Sequence, residues 1–178
     1  MKIGILGGTF DPPHQGHLHI SLLALKRLQL KELWWIPTLK NPLKKFESLM
    51  SYDERVERCQ LLTSNYSAIK VKKLNYYYAI ELINILKKNY PQHEFVWVMG
   101  ADNLVSFHRW FGFNKIIHQV EFAIFARDNF LLKIRNYAAY KIYNNFRLKY
   151  AKKSKKLPKF SIFFTAKNAT SSTKIRQS

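Results

Sequence analysis

The chain has one cysteine, Cys59, in 178 residues. A single thiol excludes an intramolecular disulfide framework and any zinc or iron–sulfur centre built from several cysteines, and it predicts a reducing compartment. Also missing is an apolar run approaching the roughly 20 residues that cross a bilayer. The apolar stretch at the start, Ile3 to Leu6, is too short for a signal peptide. A soluble cytoplasmic protein with no membrane partner is the expectation. Acidic residues are scarce and confined: all 11 lie between Asp11 and Asp128, with none from 129 to 178. The formal charge of +19 therefore divides into +13 on residues 129–178 and +6 on residues 1–128.

A basic excess of this size usually points to polyanionic partners. Disorder is excluded by the 47% apolar and 15% aromatic content, because disordered basic tails are poor in both. The densest charge is Lys149, Lys152, Lys153, Lys155, Lys156 and Lys159. This run has charge but neither a recognisable nucleic-acid module nor aromatic or arginine readers, so no specific nucleic acid is expected. Charge runs are usually solvated surface, and the 22 Lys against 8 Arg look like the composition of A/T-rich coding. At 21.1 kDa the chain fits a single domain over residues 1–178, with a basic, partly helical segment at about 130–159.

Strands are predicted at Lys2 to Leu6, Leu33 to Ile36, Ala68 to Val71, Phe95 to Met99, Phe122 to Ala126 and Ser161 to Phe164. Helices are predicted at about His17 to Gln29, Ser51 to Thr63 and Ala79 to Asn89. The first helix is apolar round much of its circumference and is expected to be well buried. Phe95-Val96-Trp97-Val98-Met99 is a continuous apolar run of the kind buried on both faces of a parallel sheet. Alternating strands and helices predict an α/β fold, a Rossmann-like parallel sheet flanked by helices. Ligands in such sheets bind beyond the carboxyl ends of the strands. One rim should thus carry Gly7 to His17, the loop after Pro37, and Gly100 to Asp102.

The loop Gly7-Gly8-Thr9-Phe10-Asp11-Pro12-Pro13-His14-Gln15-Gly16-His17 runs straight into a helix. Its first two glycines allow close backbone approach, and a helix N-terminus offers unpaired N–H groups to an anion. His14 and His17, three apart, can face that anion as neutral donors or as imidazolium. This string resembles the signature of the nucleotidyltransferases with an H-x-G-H motif. Ser171-Ser172-Thr173-Lys174-Ile175-Arg176 resembles their second signature, S-S-T-x-I-R. Within that superfamily, Gly100-Ala101-Asp102-Asn103 followed by Phe107 and Trp110 is similar to the bacterial nicotinate-nucleotide adenylyltransferases. So is the stretch Pro37 to Lys44.

The resemblance implies a nucleotidyltransferase-type fold and adenylyl transfer from ATP to nicotinate mononucleotide, giving nicotinate adenine dinucleotide and pyrophosphate in NAD biosynthesis. It implies ATP contacts from Gly7, Gly8, Thr9, Phe10, Gly16, Gly100, Asp102, Ser171, Ser172 and Thr173. Catalytic roles fall to His14, His17 and Arg176, and mononucleotide contacts to Lys44, Tyr78 and Trp110, the last stacking on the pyridine ring. Mg²⁺ is expected to come with ATP, mostly water-bound, with no protein metal ligands. The chain departs from the family at Tyr77-Tyr78-Ala79, where S-Y-T is usual, and lacks the usual His before Lys44. Another H-x-G-H enzyme, a phosphopantetheine adenylyltransferase or a cytidylyltransferase, is the nearest alternative. A basic nucleic-acid-binding protein is the more distant one.

Overall fold

The computed structural model describes residues 1–40, 43, 48–127 and 160–165. Six strands form one sheet: β1 (Lys2–Gly8), β2 (Glu32–Pro37), β3 (Ile69–Val71), β4 (Glu94–Gly100), β5 (Glu121–Arg127) and β6 (Phe160–Thr165). Every neighbouring pair is parallel, in the order β3-β2-β1-β4-β5-β6. The helices are α1 (Gln15–Arg27), α2 (Tyr52–Thr63), α3 (Ala79–Asn89), α4 (Leu104–Phe107) and α5 (Phe113–Ile116). The chain winds outward from β1 to β3, then crosses back to place β4 on the other side of β1. That reversal between β1 and β4 opens a crevice above their carboxyl ends.

Side chains alternate across the sheet and build two cores. On one face Ile3, Ile5, Trp34, Ile36, Phe95, Trp97, Met99 and Phe122 pack with Ile83 and Leu86 of α3. On the other, Leu6, Leu33, Trp35, Val96, Val98 and Phe125 meet Leu18 and Ala24 of α1 and Cys59 of α2. All five residues of Phe95 to Met99 are buried, as expected of a central parallel strand. Ser51 caps α2: its hydroxyl accepts from the Glu54 amide, and the Glu54 carboxylate accepts from the Ser51 amide, a reciprocal capping box. The Ser51 amide, with the Ser51 side chain as a second cause, holds the Glu54 carboxyl below its usual pKa.

Two expectations for α1 need correction. The helix runs over Gln15–Arg27, beginning two residues before the predicted His17, because His14 supplies the cap. It ends earlier as well, since Gln29 takes a left-handed φ of 51° that no continuing helix allows. Nor is it well buried all round: only Leu18, Ser21 and Ala24 are fully covered, and Leu22 stands exposed. One face of a single sheet covers only one stripe of a helix, so the extra leucines are left at its flanks. The basic segment 130–159 lies outside the described residues.

Candidate active site

The crevice between β1 and β4 is built first by what glycine permits. Gly7 points to the Trp97 face, where a Cβ would lie 2.9 Å from the Trp97 ring and 3.2 Å from the Tyr76 hydroxyl. Both neighbours are buried, so neither can move aside cheaply. Gly7→Ala should therefore cost about 1–3 kcal/mol by overpacking. A urea melt checks this, and an unchanged midpoint would show that the crevice floor is soft. At the other lip, the Asp102 carboxylate folds back over the α-carbon of Gly100 into the place of a side chain. Asp102 itself is exposed, in the short 3-10 turn Ala101–Asn103.

After Gly8 the chain turns sharply. Phe10 takes φ 51°, a left-handed conformation that a bulky residue adopts only when its surroundings over-determine it. Here the ring is buried and stacked on Trp35 at 5.0 Å and 19°, and touches His17 at 4.8 Å between centroids. Trp35 is fixed in turn: its indole N–H donates to Ser21 Oγ at 2.8 Å, and that hydroxyl donates to the His17 carbonyl at 2.7 Å. Phe10 thus meets the site through its backbone, its side chain being part of the core.

The two histidines cap α1 reciprocally. The Gly16 amide donates to His14 Nδ1 at 3.0 Å, and the His14 amide donates to His17 Nδ1 at 3.2 Å. A nitrogen that accepts a hydrogen bond carries no proton, so both rings are neutral with the proton on Nε2. The ring centroids are 3.9 Å apart. Burial above all pushes the His17 pKa down to about 3, and a proton gained by His14 pushes it the same way. Of the two states that the sequence leaves open, the neutral donor is the one that the structure favours. The first turn of α1 holds no acidic residue, whereas that of α2 holds Asp53 and Glu54. The positive end of the α1 dipole is accordingly left for an outside anion, and that of α2 is not.

Across the crevice stand the aromatics. Trp110 is half-buried, edge-on to Trp97 at 5.7 Å and to Phe107 at 5.1 Å. Tyr78, the cap residue of α3, packs its ring on exposed Phe111 at 4.8 Å. Both belong to the β1/β4 core face opposite α1. The structure therefore gathers Gly7, Gly8, Thr9, Phe10, His14, Gly16 and His17 on one side of the crevice. It sets Gly100, Asp102, Tyr78 and Trp110 on the other. Lys44, Ser171, Ser172, Thr173 and Arg176 lie outside the described residues. Among the described residues no group of three or more His, Cys, Asp or Glu is placed to hold a metal ion, and no helix is long and apolar enough to cross a membrane.

Two residues behind the site were not singled out from sequence. Tyr76 is buried, its hydroxyl donating to the Ile36 carbonyl at 2.8 Å, and desolvation raises its pKa. Arg55 is 1% exposed, its guanidinium spanning two loops. The signal for Arg55 was its place at i, i+4 and i+8 with Cys59 and Thr63, on the inward stripe of α2.

Comparison with known proteins places this crevice in a family. The cytidylyltransferase-like family model matches residues 5–178. A protein of Ruegeria sp. (strain TM1040) named "Probable nicotinate-nucleotide adenylyltransferase" is 39% identical over 152 residues, covering 83% of this chain and 79% of that one. A protein of the same name from Methylorubrum extorquens (strain PA1) is 34% identical, with 99% of both chains covered. The Plasmodium falciparum nicotinic acid mononucleotide adenylyltransferase complexed with NaAD shares the fold. It superposes with a TM-score of 0.74 at 20% identity, covering 99% of this chain and 82% of that one. With a Rossmann-type switch point, an H-x-G-H loop above it and relatives matched over 79% and 99% of their length, the chain belongs to the nicotinate-nucleotide adenylyltransferases of the cytidylyltransferase-like family.

Proposed function

We propose that the chain transfers the adenylyl group of ATP to nicotinate mononucleotide at the β1/β4 crevice, giving nicotinate adenine dinucleotide and pyrophosphate. The observation that carries this reading is the pair of imidazoles held through Nδ1 at the N-terminus of α1, with Trp110 and Tyr78 packed on the other core face of the sheet. One side suits phosphates and the other a flat ring. The mononucleotide phosphate oxygen attacks the α-phosphorus of ATP, a new P–O bond forms, and the bond to the β-phosphate oxygen breaks to release pyrophosphate. The nucleophile is already an anion, so no general base and no covalent enzyme intermediate are needed. Mg²⁺ bound to ATP would supply charge stabilisation for the leaving pyrophosphate.

The protein's part is placement and charge stabilisation. His14 and His17 donate through Nε2 to phosphate oxygens, and the α1 dipole adds its positive end. Neutral donors held in place beforehand stabilise growing charge without reorganising during the reaction. Gly7 and Gly8 let the backbone approach the nucleotide, with Thr9, Phe10 and Gly16 continuing that wall. Gly100 and Asp102 take the ribose or adenine side. By the family resemblance, Ser171, Ser172, Thr173 and Arg176 hold the β- and γ-phosphates, the guanidinium by its two-pronged geometry. Lys44 and Tyr78 serve the mononucleotide. Ala79 supplies no hydroxyl at the position where the family usually has Thr, so a contact there falls to the backbone. The cytoplasm, where the lone Cys59 stays reduced, is the setting this chemistry fits.

Pyrophosphate release with ATP and a panel of acceptors tests the reading. Turnover with nicotinate mononucleotide and none with phosphopantetheine is expected. Turnover with phosphopantetheine alone, or with CTP in place of ATP, would overturn it. Trp110→Ala should raise KM for the mononucleotide by roughly 3- to 10-fold through lost stacking, with KM for ATP little changed. Equal increases in both constants would assign Trp110 to the core alone.

A further inference from the structure

Among the described residues, Arg55 and Asp11 are the two buried side chains that ordinarily carry charge. Burying a guanidinium is costly unless its donors are matched, and Arg55 spends its two terminal nitrogens on backbone carbonyls while its buried Nε has no partner among the described residues. Nη1 donates to the Thr9 carbonyl at 2.6 Å and to the Thr38 carbonyl at 2.8 Å, and Nη2 donates to the Leu39 carbonyl at 3.1 Å. Its carbon lies 5.5 Å from the Tyr52 ring centre; burial pulls its pKa down, and the nearby Asp11 charge opposes that. A residue of α2 thereby joins the phosphate loop after β1 to the loop after β2. The Thr38 amide donates to the Gly8 carbonyl at 2.9 Å beside it.

The geometry points to Arg55 as the positioning residue that sets His17 for the reaction, acting through Phe10. The Thr9 carbonyl belongs to the peptide unit that contains the Phe10 nitrogen, so the guanidinium fixes the plane from which Phe10 departs at φ 51°. That turn delivers the Phe10 ring against both Trp35 and His17, and the His17 ring lies against His14. Releasing the Thr9 carbonyl frees the turn, lets Phe10 swing, and removes the closer of the two aromatic rings that pack His17 with Nδ1 on the His14 amide. Lysine cannot substitute. Its one nitrogen would have to replace both Nη1, which bridges the Thr9 and Thr38 carbonyls of the two loops, and Nη2, which holds the Leu39 carbonyl.

The inference rests on the adenylyl-transfer reading for its kinetic arm. A second arm needs no substrate: long-range ¹H–¹⁵N correlation spectra of the full chain read the protonated nitrogen of each imidazole. The wild type should show His17 as a single Nε2–H tautomer. In Arg55→Lys, shown folded by its melting curve, the two tautomers should mix, kcat should fall about 10- to 100-fold, and both KM values should change far less. Phe10→Leu is the second variant, because it leaves Arg55 and its three carbonyls intact while cutting the link to His17. It should show the same mixing and the same loss. Either folded variant with wild-type kcat and a single tautomer overturns the role, as does a wild-type His17 protonated on Nδ1. A wild type inactive on nicotinate mononucleotide would instead overturn the proposed reaction, and the spectra would still decide for Arg55.

Discussion

His17→Ala is expected to lower kcat by about 10²–10³-fold while KM for nicotinate mononucleotide changes little. The size follows from the kind of interaction lost. A preorganised donor aimed at a phosphate in flight is stronger in the transition state than in the ground state, so its removal appears in kcat. The His14 amide holds the ring by Nδ1, and Phe10 and Trp35 pack against it. Since burial keeps the His17 pKa at about 3 in the free protein, kcat/KM should also show no His17 step between about pH 5 and pH 9. A mutant turning over as fast as the wild type would remove His17 from the reaction.

The same burial makes His17 a source of acid sensitivity. Its pKa is near 6.5 when the chain is unfolded and about 3 when folded, so in between the unfolded state binds the extra proton. Stability from this group is therefore complete above about pH 6.5 and declines as pH falls toward 3. The loss should be about 2 kcal/mol at pH 5, rising toward roughly 4–5 kcal/mol near pH 3. Urea melts of the wild type and of His17→Gln at pH 8 and pH 5 isolate it, because all other titrating groups are common to both. The wild type should lose about 2 kcal/mol more than the variant over that interval. Parallel losses would mean that the ring is solvated and its proton affinity ordinary.

The fold was legible in sequence where periodicity and length both spoke. Phe95 to Met99 reads as a doubly buried strand because five consecutive apolar residues leave no polar face, and β4 lies there. Ser51 and Glu54 announce the start of α2 by their spacing, and both caps form. The start of α1 was misjudged because histidine is not a usual cap, and its imidazole nitrogen does here what a Ser or Asp oxygen does elsewhere. The site's loop was legible as a string, but its internal geometry was not. No pattern of residue types shows that Phe10 turns left-handed, that Trp35 props it, or which nitrogen of His17 carries the proton. Those are consequences of contacts between segments far apart in sequence.

Arg55 illustrates the same limit. Local reading sees a basic residue in the first turns of a helix that already carries Asp53 and Glu54, an ordinary surface pattern. Only the fold brings the Thr9, Thr38 and Leu39 carbonyls to it from 46, 17 and 16 residues away. The charge division is sharpened too. The described crevice belongs to residues 1–128, with +6, and most of the +19 lies in the part of the chain that follows. A modest positive excess suits a site whose substrates and pyrophosphate product are all anions.

The central claim is that phosphates and pyridine ring meet across the β1/β4 crevice. A crystal structure with nicotinate mononucleotide and a non-hydrolysable ATP analogue tests it most directly. The account predicts phosphate oxygens within hydrogen-bond distance of Nε2 of His14 and His17, and the pyridine ring stacked on Trp110. Nucleotide bound away from the α1 N-terminus, or a pyridine ring with no contact to Trp110, would contradict it.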